Sequence, residues 1–213
     1  MTVSRGRPSR VIGAVERETE LALVARLRQG DADAFDAVYA AFNTRLFTFL
    51  IRLSRRRDVA EDLLEETWLR LVKHARRLRV DTRLAPWLFT VARNLYVSFI
   101  RARLLEDSVT ASLIAVWPFN PKQSSPFEAV AVSELEGRIE RALAVLPSSS
   151  REVLLLVGVA GLNHSDAADV CGITPEALRQ RLHRAREALS SLLERDARAE
   201  RPALEGIASC PSR

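Results

Sequence analysis

Apolar residues recur along most of this chain at alternating three- and four-residue steps, the spacing of helices that bury one face. Over residues 31–53, Phe35, Val38, Phe42, Leu46, Phe49, Leu50 and Leu53 form one such stripe. Gly30 closes a shorter helix over 16–29, and Asp31 is placed to cap the longer one. A third helix is expected over 58–78, with Val59, Ala60, Leu63, Leu64, Thr67 and Leu71 inward, and a fourth over 87–103, with Leu88, Val91, Leu95 and Phe99 as its core stripe. From Leu104 to about Phe127 the period fades among Pro118, Pro121, Pro126 and Ser124-Ser125. It returns over 128–146, breaks at Pro147, resumes at Ser150 and stops near Gly161. The pattern predicts an all-α protein of two small helical domains, 16–104 and 128–194, joined by a flexible linker at 105–127 and flanked by tails at 1–15 and 195–213.

Residues 165–193 carry two helix signals with a tight turn between them. Cys171-Gly172-Ile173 interrupts the first, and Thr174-Pro175-Glu176 restarts the chain with a hydroxyl cap, a proline at the first helical position and an acid near the positive helix end. That is a helix-turn-helix. In its second helix Leu178, Leu182, Ala185, Leu189 and Leu192 face a core, and Glu176, Arg179, Gln180 and His183 stand opposite, flanked by Arg184 and Arg186. Such a face suits DNA base edges and phosphates. A solvated face on an ordinary surface helix is the alternative.

Two other helices leave open choices. On the third, Leu69 sits among Asp62, Glu65 and Glu66, which suits a basic, partly apolar protein partner or a solvated acidic face with one stray leucine. On the fourth, Phe89, Arg93, Tyr96 and Ile100 make a second face with Asn94 and Arg101 beside it. Aromatics interleaved with arginine form a stacking platform for unpaired bases, and the same spacing fits a helix buried on two sides.

Composition adds little until charge is resolved by residue type. The 32 basic residues exceed the 27 acidic ones by five, and only Lys73 and Lys122 are lysine. Arginine supplies the planar fork that suits phosphates and guanine edges. Cys171 and Cys210 form no CxxC pattern, and His74, His164 and His183 lack metal-ligand spacing, so no zinc site and no cofactor are expected. No Ser/His/Asp set or phosphate-binding loop argues for an enzyme. The absence of a long apolar run predicts no membrane insertion and a cytoplasmic protein.

Taken in order, DVAEDLLEETW, APWLFTVARNL, a proline-containing linker, LPSSSREVLLL and GITPEALRQRLHRAREAL resemble bacterial RNA polymerase sigma factors of the extracytoplasmic-function group, across roughly residues 31–193. Glu65 stands where that family usually has glutamine, and Ser98 where aspartate is frequent.

The resemblance implies a function of binding rather than bond-making. Asp58, Glu61, Asp62, Glu65, Glu66 and Leu69 would dock on the coiled coil of the polymerase β′ subunit. The loop at 79–86 with Arg83, and the helix bearing Trp87, Phe89, Arg93, Asn94, Tyr96 and Arg101, would capture the melted non-template strand at the minus-ten element. Thr174, Glu176, Arg179, Gln180, His183, Arg184 and Arg186 would read the minus-thirty-five element as duplex. An anti-sigma factor is implied as a further partner. Two rivals stay open: a conventional helix-turn-helix regulator, and a sigma-like decoy that occupies an anti-sigma factor without reading promoters.

Overall fold

The computed structural model describes residues 17–110 and 134–205, with side chains over 17–105 and 135–198. The expected tail at 1–15, the greater part of the expected linker, and residues 206–213 with Cys210 lie outside the described residues. Among the described residues the regular elements are all helical.

The first unit holds α1 (Arg17–Arg28), α2 (Ala32–Ser54), α3 (Arg57–His74), a single 3₁₀ turn at Ala75–Arg77, and α4 (Leu84–Thr110). Asp31 caps α2 as its position predicts, its carboxylate accepting from the backbone N–H groups of Asp33 and Ala34. The preceding Gly30 has φ +81°, a left-handed turn that favours glycine. Helix α2 buries Ala34, Val38, Phe42, Leu46, Phe49, Leu50 and Leu53 against α3 and α4. On α3 the buried side is Val59, Ala60, Leu63, Thr67, Trp68 and Leu71. The Thr67 hydroxyl donates to the Leu63 carbonyl at 2.7 Å, and the Trp68 indole N–H donates to Asn43 Oδ1 at 3.0 Å, so neither polar group is buried unpaired.

Helix α4 begins three residues before the expected start. Pro86 falls in its first turn, where the missing N–H has no intrahelical partner to lose. The N–H of Leu84 donates to Glu20 Oε1 at 2.7 Å, so α1 caps α4. At its other end α4 runs to Thr110, through the first residues assigned to the linker.

The second unit holds α5 (Glu134–Val145), α6 (Ser148–Gly158), α7 (His164–Cys171) and α8 (Pro175–Glu205). Asn163 caps α7 by accepting from the Asp166 N–H, and Gly172, at φ +66°, ends it in the left-handed conformation. The Thr174 hydroxyl accepts from the Ala177 N–H at 3.1 Å and opens α8. Leu178, Leu182 and Ala185 are buried. Leu189 and Leu192 pack against the same core from partly buried positions. Helix α8 continues beyond the expected end of the domain, and Asp196 is drawn back onto α5 by Arg141 at 2.8 Å.

The two units are docked on one another. Helix α4 packs on α7, and α2 packs on α6 and α5. At this seam Arg151 is buried and donates to the Leu143, Ala144 and Leu146 carbonyls of its own unit, and to Leu53 O of the other at 3.3 Å. Arg52 pairs with Glu140 at 2.6 Å, and Arg45 donates to the Ala160 carbonyl.

Candidate functional site

Three surfaces carry the residues singled out in the sequence. The first is the start of α8. Thr174, Glu176, Arg179, Gln180, His183, Arg184 and Arg186 are all exposed, while the leucine stripe behind them is buried. Pro175 and the Thr174 cap fix the direction of the helix from its first turn. Arg179 pairs with Glu176, which holds the Glu176 carboxyl below its usual pKa range, and His183 lies 3.5 Å from Glu187. These are local partners on a free face, and a DNA base or phosphate can replace them at little cost.

The second surface is the outer side of α2 and α3. Asp58, Glu61, Asp62 and Glu65 are exposed, Glu66 is half-buried, and Leu69 is 43% exposed. Asp58 pairs with Arg56, whose hydrogen bonds lower its carboxyl pKa, while Glu61 pairs with Arg57 and Glu66 with Arg70. Asp62 and Glu65 have no ion pair among the described residues. Beside these acids lies an open groove of about 500 Å³ whose lining includes Phe35, Tyr39, Trp68, Leu69 and Val72. Its floor is an aromatic cluster: the Trp68 ring centroid is 4.9 Å from Tyr39 and 5.9 Å from Phe35. The groove was not foreseen from the sequence. Tyr39, four residues after Phe35 and on the same side of the helix, was the available signal.

The third surface is divided. Asn94 and Arg101 are exposed on α4, and half-buried Trp87 lines a cavity of about 190 Å³ together with His74, Arg77, Arg79 and Thr82. Those four neighbours were not singled out in the sequence, although the loop at 79–86 was. Phe89 requires a correction. It is 0% exposed and packs edge-on against Phe49 with ring centroids 5.4 Å apart, so it belongs to the core and offers no stacking face. Helix α4 is buried on two sides: Leu84, Leu88, Phe89 and Ala92 face α2 and α3, and the next strip faces the second unit.

On that strip Arg93 donates to Glu152 Oε1 at 2.7 Å. Arg83, just before α4, pairs with Asp166 of α7. Tyr96 is half-buried, and its hydroxyl pKa is raised, chiefly by burial. Burial also raises the Asp166 carboxyl pKa, against the opposing pull of Arg83. Three of the seven expected minus-ten residues therefore turn toward the second unit.

Comparison with known proteins gives the arrangement its context. Residues 38–104 match the family model for sigma-70 region 2, and residues 136–189 match that for sigma-70 region 4. The chain is 36% identical over 149 residues to the ECF RNA polymerase sigma factor EcfG of Rhodopseudomonas palustris, covering 70% of this chain and 78% of the relative. It is 32% identical over 170 residues to the RNA polymerase sigma factor CarQ of Myxococcus xanthus, covering 79% and 94%. Among solved structures, the sigma factor RpoE of Bartonella quintana, in complex with the anti-sigma factor NepR, superposes with a TM-score of 0.62 at 28% identity, over 76% of this chain and 98% of that one. With regions 2 and 4 both matched in order, the chain belongs to the extracytoplasmic-function sigma factors of the sigma-70 family.

Proposed function

We propose that this sigma factor binds core RNA polymerase through the acid-rimmed groove on α2 and α3 and directs promoter-specific initiation. Helix α8 reads the minus-thirty-five duplex. The loop before α4, with Trp87, Asn94 and Arg101, takes the melted non-template strand at the minus-ten element, joined by Arg83 and Arg93 once they are free. The observation that carries this reading is the start of α8: Glu176, Arg179, Gln180, His183, Arg184 and Arg186 are exposed behind the Thr174 cap and a proline that fix its direction.

The groove fits a partner helix that places an apolar residue on Leu69 and basic residues against Asp62 and Glu65. That chemistry suits the β′ coiled coil. Unstacking a base costs a few kcal/mol, which stacking at roughly 1–3 kcal/mol per base and phosphate neutralisation offset. The polymerase makes the bonds. Its place of action is the cytoplasm, and because RpoE of Bartonella quintana was solved with an anti-sigma factor, we assign this chain a partner of that kind.

Run-off transcription with purified core polymerase on fragments of the host genome, with and without the protein, tests docking, melting and reading together. Defined starts sharing two elements about two helical turns apart are expected, and Arg179→Ala weakens them. Binding to core polymerase without any new start would favour the decoy, and binding to duplex DNA alone a conventional regulator.

A further inference from the structure

We propose that the first turn of α1 positions the minus-ten loop: Glu20 and Arg17 clamp residues 81–84 and so set the shape that Thr82 and Trp87 present to the unpaired strand. This rests on the proposed reading of the loop before α4 as a strand contact. Arg17, Glu20, Val24 and Leu27 follow one another at steps of three, four and three residues, so they share one face of α1. Val24 and Leu27 are buried in the far half of the helix, and α1 packs on α2. Seating that apolar half aims the polar half at the loop, 64 positions further along the chain.

The loop needs this help because it supplies no cap of its own. Leu84 opens α4, where backbone N–H groups have no intrahelical partner, and it is 0% exposed, so water cannot serve its N–H. Arg83, in the capping position, carries no acceptor, and the Asp81 carboxylate is turned onto Arg79 at 3.0 Å. Glu20 supplies the missing acceptor, 2.7 Å from the Leu84 nitrogen, with a side chain only 12% exposed. The helix dipole favours a carboxylate at this end. Arg17 completes the clamp. It pairs with Glu20 at 2.7 Å and donates to the Asp81 carbonyl at 2.7 Å, so one guanidinium orients the capping acid and holds the loop backbone. Helix α1 also packs on the 3₁₀ turn at Ala75–Arg77 that leads into the loop. Thr82 stands between the two anchors and Trp87 three residues past the second, and both line the cavity of about 190 Å³. Moving an anchor therefore reshapes that cavity without removing any side chain that lines it. A loop held in shape beforehand loses less freedom on binding, which raises its affinity for the strand.

The test uses the full chain and two readouts. Hydrogen exchange followed by mass spectrometry reads the clamp with no polymerase or DNA present. Glu20→Ala and Arg17→Ala speed exchange in peptides covering residues 79–88 and leave those from α2 and α3 at the wild-type rate. Glu20→Gln, which keeps an acceptor for the Leu84 N–H, stays close to wild type. Unchanged exchange in Glu20→Ala overturns the clamp and leaves the sigma reading intact. Faster exchange throughout α2 and α3 makes Glu20 a general stabiliser and overturns its positioning role. The second readout is capture of a single-stranded oligonucleotide, from the non-template strand of a mapped start, by core polymerase reconstituted with each variant. Glu20→Ala lowers its affinity about fivefold and narrows the preference for the native minus-ten bases over substituted ones, and Glu20→Gln recovers both. Affinities for core polymerase and for the minus-thirty-five duplex stay unchanged. Faster exchange with undiminished strand affinity and base preference confines the clamp to stability and overturns positioning. A wild-type holoenzyme that captures no strand overturns the sigma reading, and positioning with it, whatever the exchange shows of the clamp.

Discussion

Arg151 is a buried cation that, among the described residues, has no carboxylate on it. Three carbonyls near the C-terminal end of α5 and one near the end of α2 take its place, at 2.9–3.3 Å, where the helix dipoles favour positive charge. Burial, with Arg55 nearby, pushes its pKa below the usual value. Arg151→Ala strands buried acceptors, each costing about 1–3 kcal/mol. Urea denaturation is expected to record a loss of about 3 kcal/mol, and Arg151→Lys recovers little because an ammonium cannot span all four acceptors. A loss within measurement error would mean that water serves these carbonyls equally well. Cys171 makes the complementary case. Burial first, and Glu152 next, push its thiol up to about 12 from an ordinary 9.0. The native chain thus keeps a proton that the unfolded chain releases, and stability falls as the pH rises from 9.0 toward 12. At pH 8, peptide mapping after iodoacetamide treatment is expected to find Cys171 unmodified in the native protein and modified after denaturation.

Among the elements, α3 separates what holds the fold from what lies open to solvent within a single turn. Trp68 is 7% exposed and bonded to Asn43, and Leu69 beside it is 43% exposed on the groove. Leu69→Asp should therefore leave the melting temperature nearly unchanged and weaken binding to core polymerase about tenfold or more, as read by gel filtration or fluorescence titration. An equal loss of stability would make Leu69 a core residue. Other helices show why some of the architecture was legible in the sequence. Capping at Asp31 and Thr174, the turn at Gly172 and the α8 stripe are set by residues within a turn of one another, so local pattern contains them. Phe89 was not legible. On a helix apolar on two sides the period marks both faces alike, and only the arrival of Phe49 from α2 decides which one is core. The groove escaped for a related reason, because its floor is assembled from two helices.

At the scale of the whole molecule the missing information was the docking of the two units, carried by pairs such as Arg93 with Glu152 that no periodicity connects. Docking alters what a salt titration should show. Each phosphate that a cation neutralises on a single strand contributes about −0.7 to the slope of log affinity against log salt. On the proposed reading of Arg83 and Arg93 as strand contacts, the strand competes with Asp166 and Glu152 for them in the wild-type chain, and salt that screens phosphates also loosens these partners, most of all half-exposed Arg83. The two effects oppose each other. Wild type should therefore show a slope shallower by roughly one unit than Asp166→Asn, with the two affinities converging as salt rises, when fluorescence anisotropy follows the oligonucleotide. Parallel lines would mean that Arg83 reaches the strand without leaving Asp166. In that case the seam orients the arginine for DNA instead of withholding it, and the closed form is the one that binds.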